Sequence, residues 1–273
     1  MRGRCLPALL GVVGIVAMPA VVVAQTHSAR TPWGDPDVQG TWTNTTTTPL
    51  ERPEDLADKA VLTPEEIVLR NAQVAEEVSL DNRPRNETGA YNEFWMERGF
   101  LNLRTSLIID PADGLLPPVT RTEAQRRADH AADRAAHSTD SYENRSAYDR
   151  CISRGLPGSM MPGFYNHNYQ IFQTPDHVVV LVEMIHDARI IPLDRRPHLD
   201  SDIKQWLGDS RGWWEGDTLV VETRNLTSKA ADRTRTTFGA GRQTTVVERF
   251  TRTSADTMNY QITVTDPTEY SAF

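Results

Sequence analysis

The sequence predicts a mainly β protein, an antiparallel meander forming a curved sheet or a barrel, with two or three peripheral helices. From residue 165 onward, apolar runs are separated by turn residues such as Glu215-Gly216-Asp217, which is typical of successive hairpins. In the last predicted strand every second residue is apolar, so one face of the strand is expected to be buried and the other to be exposed to solvent. These apolar residues are Met258, Tyr260, Ile262 and Val264. Successive hairpins favour an antiparallel sheet over a parallel α/β fold.

The first 24 residues are predicted to be a secretory signal peptide. Arg2 and Arg4 form a basic start, an apolar stretch runs from Leu6 to Val23, and Ala24 is a small residue suited to the cleavage position. A retained membrane anchor is the alternative, which prolines within the stretch and the lack of charge just after it disfavour. We therefore expect a periplasmic or secreted mature chain without stable membrane insertion.

Charge narrows the class of partner. The chain has 29 basic and 37 acidic residues, and processing removes two arginines, which shifts the net charge from −8 to −10. Because the basic residues are scattered among acids, nucleic acid is a poor match. We expect a small-molecule ligand or substrate instead. Cys151 is the only cysteine after processing; a small buried side chain is predicted, with a reactive thiol between Arg150 and Arg154 as the alternative.

Residues 25–164 are predicted to form an N-terminal extension of helices, loops and a few strands that packs on the β core. Thr63 and Glu66 form a capping box that starts a helix running to about Ser79. A second capping box at Thr120 starts a helix whose apolar residues are all alanine, which indicates a solvated surface helix. This second helix is expected to end near residue 136. Short strands are expected over residues 38–44 and 105–109.

Residues 165–273 are predicted to form the antiparallel β core. The most apolar run, Val178–Val182, belongs to a hairpin that bends at His186-Asp187. Two more hairpins are predicted over 213–224 and 246–265. A short helix capped by its first residue is expected over 200–207.

Four ionisable residues follow the apolar run and form the candidate catalytic cluster: Glu183, His186, Asp187 and Arg189. A carboxylate next to an imidazole fixes its tautomer and raises its basicity, so His186 is the candidate general base, oriented by Asp187 or Glu183. Arg189 is the candidate for stabilising negative charge. In the alternative interpretation, Glu183 lies on the face of Val179 and pairs with Arg189 across the bend, which only sets the strand register.

Aromatic and polar residues around this hairpin are the candidate ligand-binding residues, because small-molecule sites combine apolar walls with a few polar groups. They are Tyr165, Asn166, His167, Tyr169, His198 and Trp213. His186, His198 and either Glu183 or His167 have the side-chain types of a metal site, but their spacing matches no metal motif. We therefore assign no metal residue, and with no nucleotide motif in the sequence the cofactor is left open.

Several stretches resemble a large family of exported bacterial proteins for which no reaction is established. They are TPWGDPDVQGTW at 31–42, RCISRGLPG at 150–158, EMIHDARIIPLD at 183–194 and QWLGDSRGWWEGDTLVVET at 205–223. The strand pattern is similar to that of lipocalin-like barrels, whose Gly-x-Trp opening is matched at Gly40. Family members have a histidine where this chain has Trp213 or Trp214. They also continue beyond the stretch that matches Asp266-Pro267, into a segment with a second cysteine. The resemblance thus implies a C-terminally truncated member.

Three functions remain open from the sequence. The first is an exported, barrel-like protein that binds a small, partly apolar ligand in a cup lined by Tyr and Trp, with the Glu183/His186 cluster nearby. The second is an enzyme on the same scaffold that performs proton-transfer chemistry (isomerisation, elimination or hydrolysis). The third is a structural or interaction domain in which the charges only set strand register.

Overall fold

The computed structural model describes residues 29–82, 92–138, 140–230 and 243–270, so the predicted signal peptide lies outside the described residues. The fold is mainly β, with two four-stranded antiparallel sheets. The first sheet contains β1 (Gly40–Thr43), β2 (Asn168–Gln173), β3 (His177–Val182) and β4 (Ala188–Pro192) in that order. The second contains β5 (Asp209–Glu215), β6 (Thr218–Arg224), β7 (Thr245–Arg252) and β8 (Met258–Thr265).

Each sheet is a meander in which every strand pairs antiparallel with the next one in its sheet, which confirms the predicted fold class. No ladder joins the two sheets within the described part of the chain, so the closed-barrel form of the prediction is not observed. The two sheets nevertheless approach at one end, where Arg252 of β7 donates to the Asp37 carbonyl at 3.1 Å and covers the Trp42 ring of β1 at 5.3 Å.

The hydrophobic core joins residues from the inner faces of both sheets. Val178, Val180 and Val182 of β3 are each 1% exposed, and they share one cluster with Leu219 and Val221 of β6. Alternate residues of a strand point to opposite faces, so this period of two assigns one whole face of each strand to the core. Burying side chains of this size contributes about 1.5–3 kcal/mol each, which makes this cluster the main source of stability.

A glycine lets β4 and β5 approach closely. A Cβ atom on Gly212 would lie 2.8 Å from a methyl carbon of Leu193 and 2.9 Å from one of Ile191. Such contacts are too short for carbon atoms, so any larger residue would push the two sheets apart.

The buried face of β3 is the opposite of the one predicted. Val179 lies on the less buried face, and Glu183 follows the end of the strand and is exposed. The register sets this arrangement, because Val180 lies opposite Arg189 and both side chains are buried.

Two α-helices lie outside the sheets in the described ranges, α1 (Pro64–Val78) and α2 (Arg121–Ala136), and both agree with the predicted ranges. The Thr63 hydroxyl accepts from the Glu66 N–H and the Glu66 carboxylate accepts from the Thr63 N–H, which completes the capping box of α1. In α2 only Glu123 is buried, as expected of a solvated surface helix.

Two predicted elements do not form. In place of the strand over 105–109, the Thr105 hydroxyl donates to the Lys59 carbonyl and the Ser106 hydroxyl donates to the Ile108 carbonyl. Such side-chain bonds compete with ladder pairing. In place of the helix over 200–207, the backbone of Gln205 pairs with the chain after β6.

Within the described residues, none of the helices is both long and apolar enough to cross a bilayer.

Candidate functional site

The strongest polar feature of the fold is a buried ion pair between the two sheets. The Arg189 guanidinium of β4 donates twice to the Glu248 carboxylate of β7, with one Nη1–Oε1 distance of 2.9 Å. The two side chains are 1% and 0% exposed. The Tyr260 hydroxyl of β8 donates to the same carboxylate at 2.8 Å. Burial opposes charge on Arg189, but the adjacent carboxylate outweighs it and raises the pKa of Arg189 above its ordinary value.

Alternation along β7 places Glu248 in the core. It lies between Val246 and Phe250 on the same inner face, and both neighbours are buried. The sequence carries a signal for this position, since a carboxylate between two core residues of an alternating strand needs a cation. The sequence analysis did not identify Glu248 as the partner of Arg189, because Glu183 lies much closer to Arg189 along the chain than Glu248 does. The predicted Glu183–Arg189 pair is wrong.

Tyr169 of β2 extends this polar group. Its ring is 4% exposed, its hydroxyl donates to the Ser159 carbonyl at 3.2 Å, and burial raises its pKa to about 12. Burial and the Glu248 carboxylate also raise the pKa of Tyr260 well above its ordinary value. Both tyrosines are therefore neutral near pH 7. We call Tyr169, Arg189, Glu248 and Tyr260 the interior cluster.

Three buried polar atoms on or beside the interior cluster have no hydrogen-bond partner among the described residues. They are the Arg189 Nε, the Asn44 Oδ1 and the Ser159 Oγ. Asn44 and Ser159 both border Tyr169, through a side-chain contact and a backbone bond respectively. Nearly all buried polar groups in folded proteins are hydrogen-bonded, so the interior cluster retains bonding capacity for a further polar group.

Partly exposed apolar side chains lie beside the interior cluster. We call them the open flank: Trp42, Met258, Tyr260, Ile262 and Val264. They lie on β1 and along the inner face of β8, which is the last strand of its sheet and has no partner strand on its outer side among the described residues. Tyr260 belongs to both groups, so its ring links the solvent-accessible flank to the buried carboxylate.

The predicted catalytic residues do not converge. Glu183 is exposed and accepts from the Asn168 side chain at 2.8 Å, and His186 is also exposed. Asp187 accepts from the Ser153 hydroxyl at 2.9 Å rather than from His186, and burial raises its pKa. Arg189 lies inside the core. The bend itself is confirmed: a short 3₁₀ turn over Met184–His186 joins β3 to β4, with Ile185 and His186 in the left-handed region at φ 65° and 49°.

Residues before β2 form a second cluster. His167 is 4% exposed, and its Nε2 accepts from Arg154 Nη1 at 2.6 Å. Burial, followed by the charge of Arg154, lowers the pKa of His167 to about 4, so this imidazole is neutral and positions Arg154. Asn166 is left-handed at φ 53°, and Tyr165 is partly exposed. Cys151 is exposed, so the predicted buried side chain is wrong.

His198 joins a loop to the outer face of the second sheet. Its Nδ1 lies 2.9 Å from Asp209 Oδ2 and its Nε2 lies 3.1 Å from Glu222 Oε1. Each ring nitrogen lies within hydrogen-bonding distance of a carboxylate oxygen, so the imidazole bridges the loop before β5 to side chains of both β5 and β6. Burial opposes ionisation of Asp209, but hydrogen bonds from Leu199, His198 and Arg211 outweigh it and lower its pKa.

We expect His198→Ala to destabilise the protein by about 1–3 kcal/mol, because two largely buried carboxylates lose a hydrogen-bonding partner. Urea unfolding of the purified variant measures this change. His137→Ala is the matched control, since His137 pairs with Asp140 on the surface and exposed pairs contribute about 0–1 kcal/mol. Equal effects of the two substitutions would contradict the prediction.

Trp213 and Trp214 point to opposite faces of β5. Trp213 donates from Nε1 to Glu215 Oε1 at 2.9 Å, while Trp214 packs against the core. The predicted ligand-binding residues therefore separate: Tyr169 joins the interior cluster, whereas His198 and Trp213 lie on the outer side of the second sheet.

No group of three or more His, Cys, Asp or Glu residues in the described ranges is arranged to hold a metal ion. A cleft of about 530 Å³ lies beside α2, bordered by charged side chains that include Asp133, Arg134 and Arg145. It contains none of the predicted site residues, and its lining mixes alanines with polar and charged side chains, whereas small-molecule sites are lined mainly by apolar and aromatic residues.

Comparison with known proteins finds no matching family model, no matching curated protein and no matching solved structure. The resemblance to the exported bacterial family therefore stays a prediction, and functional inference depends on the geometry.

Proposed function

We propose that this protein is an exported binding protein that holds a small, partly apolar molecule on the open flank, with the polar end of that molecule at the interior cluster. The observation that carries the proposal is the combination of a buried ion pair that keeps an unbonded guanidinium N–H with a partly exposed apolar surface beside it.

The composition of this region supports binding. Small-molecule sites are mainly apolar and aromatic, with a few polar groups that fix orientation. The open flank provides two aromatic and three aliphatic side chains, and Tyr260 connects them to Glu248. Because exposed apolar surface is unfavourable in water, covering it with a ligand is favourable at about 25 cal/mol per Å².

The proton-transfer alternative has less support. It requires Arg189 beside His186, but Arg189 donates both of its Nη groups to Glu248 in the core. Glu183 and Asp187, the two candidate orienting groups, are bonded to Asn168 and Ser153.

We expect the mature chain to bind N-phenyl-1-naphthylamine, an uncharged apolar dye that fluoresces when it leaves water, and we expect Ile262→Asn to weaken this binding about tenfold. The reason is that an amide placed in the apolar wall loses hydration when the dye covers it, at a cost of about 1–3 kcal/mol. A fluorescence titration measures the dissociation constants.

Thr263→Asn is the matched control, because Thr263 neighbours Ile262 on β8 and faces outward. Thermal unfolding checks that both variants are folded. Equal binding by the two variants would place the dye elsewhere and contradict the proposed site, and absence of dye binding by the unmodified chain would contradict the function.

A further inference from the structure

We propose that the outer face of the first sheet is the contact surface for a second copy of this chain, related by a two-fold axis, in a weak dimer. We call this surface the uncharged face. Its centre consists of Phe172, Val179, Leu181, Ala188 and Ile190. It lies on the side of the sheet away from the core, whereas the open flank lies on the inner side, so the inference is independent of the proposed function.

The uncharged face has the composition of an interface rather than of a surface in water. The only Asp, Glu, Lys or Arg residue in β1 to β4 is Arg189, whose side chain points inward to Glu248. Phe172 and Ile190 point outward and are 45% and 64% exposed. Since the outer face of an antiparallel sheet is normally polar where it meets water, these apolar side chains indicate that another surface covers them.

The second sheet of the same chain provides an internal comparison. Its outer face carries ion pairs, Arg249 with Glu215 at 2.7 Å and Arg224 with Glu222 at 3.0 Å. Such side chains are expected on a sheet face that meets water. The two sheets share one core, yet their outer faces differ in charge, so the lack of charge is specific to the first sheet.

The strand register aligns the apolar residues in rows across the first sheet. Phe172 of β2 lies opposite Val179 of β3, which lies opposite Ile190 of β4. In the next row Leu181 lies opposite Ala188. Because all of these residues point to the same side, they form one continuous apolar patch.

A second copy of the chain fits this surface for two reasons. The chain has a net charge of −8, so two copies repel each other on average, and a face without charge lets them meet without bringing like charges together. A two-fold axis parallel to β3 also places the face against itself, with Phe172 of one copy over Ile190 of the other and Val179 over Val179. Apolar side chains then meet apolar side chains, as in two sheets packed face to face.

The size of the uncharged face sets the strength of the contact. A face of four strands and about five residues per strand covers about 300 Å², from the ordinary spacing of strands and residues. Stable complexes bury about 800 Å² per partner, so this dimer is weak and transient. We expect a dissociation constant of about 100 µM.

Sedimentation velocity of the mature chain at about 10–500 µM measures this association, and we expect Ile190→Lys to weaken it at least about tenfold. The reason is that the dimer would bury two ammonium groups against apolar side chains. Leu69→Lys is the matched control, because Leu69 lies on α1, is 66% exposed and receives the same change of charge. This control should associate like the unmodified chain, and thermal unfolding checks that both variants are folded.

A pair of opposite charges tests the two-fold arrangement. Phe172→Glu and Ile190→Lys should each abolish association in separate solutions. In a mixture of the two variants, the introduced glutamate of one chain lies over the introduced lysine of the other, and the second contact of Phe172 with Ile190 is retained. We therefore expect the mixture to associate at least about tenfold more tightly than either variant alone.

Four results would overturn the inference. They are a chain that stays monomeric up to about 500 µM, equal effects of Ile190→Lys and Leu69→Lys, a mixture that associates no better than its components, and a monomer that binds phosphatidylcholine vesicles through this face. The last result would identify a lipid surface as the occupant. If Ile190→Lys does not fold, Ile190→Thr replaces it, with weaker association as the expected result and unchanged association as the contrary one.

Discussion

Arg189→Met is expected to destabilise the protein by about 3–5 kcal/mol. It leaves the Glu248 carboxylate, which is 0% exposed, without a cation in the core. Methionine fills much of the volume of the arginine side chain, so the loss arises from the uncompensated charge more than from a cavity. Urea unfolding of the purified variant measures the change.

A double substitution separates the charge from the packing. Arg189→Met combined with Glu248→Gln removes both charges and keeps an acceptor for the Tyr260 hydroxyl, so we expect it to recover more than half of the lost stability. A double variant that is as unstable as Arg189→Met would mean that shape, rather than charge, fixes this contact.

Arg249→Met is the matched control, because Arg249 is the next residue along β7 from Glu248 and pairs with Glu215 on the surface. The two side chains of that pair are 41% and 47% exposed. Exposed pairs contribute about 0–1 kcal/mol, so this substitution should have little effect. If Arg189→Met and Arg249→Met were equally mild, the buried pair would not stabilise the fold in the way that its burial indicates.

The strands were predictable because their signals are local. In β8 the apolar and polar residues alternate over the whole strand, and the two-residue turn at Gly216-Asp217 fixes the β5–β6 register. The helix starts at Thr63 and Thr120 were predictable for the same reason, since a capping residue and its partner lie three positions apart. Local patterns misled at 200–207, where pairing with a distant segment replaced a helix.

The site was only partly predictable, because its contacts join residues far apart in the chain. Arg189 was identified as an important cation, but its partner Glu248 lies 59 residues away along the chain. The packing of one sheet on the other brings these two side chains together. His198 was identified as a site residue, whereas its two carboxylate partners follow from the register of β5 and β6. The alternation of residues in one sequence predicts which face of a strand is buried, but it does not predict which strand of the other sheet packs against that face.

A second large effect is expected at Glu269, which lies in a buried acidic region between α2 and the chain after β8. Glu269 is 3% exposed, its backbone carbonyl accepts from the Thr120 N–H at 2.8 Å, and its Oε2 lies 3.5 Å from Arg127. Burial, and then the charges of Asp266 and Glu123, raise its pKa from 4.5 to about 7, against the opposing effect of Arg127 and Arg126.

The pKa shift of Glu269 gives stability a definite dependence on pH. Because the folded state holds the proton more tightly than the unfolded state, folding is favoured below pH 4.5 and loses stability as the pH rises through the interval from 4.5 to about 7. The loss is complete above that interval and amounts to about 3 kcal/mol. Tyr270, whose pKa is raised by burial, stays protonated throughout this interval and adds nothing to the change.

Glu269→Gln mimics the protonated side chain and should remove this dependence. We expect the variant to be about 3 kcal/mol more stable than the unmodified chain above pH 7 and equally stable below pH 4.5. Urea unfolding at several pH values across the interval measures both curves, and Glu65→Gln on the exposed face of α1 is the control for a change of net charge. Other carboxylates lose their own pairs at low pH, so the informative quantity is the difference between the curves. A constant difference across the interval would mean that Glu269 is ionised in the folded protein and that Arg126 and Arg127 outweigh its burial.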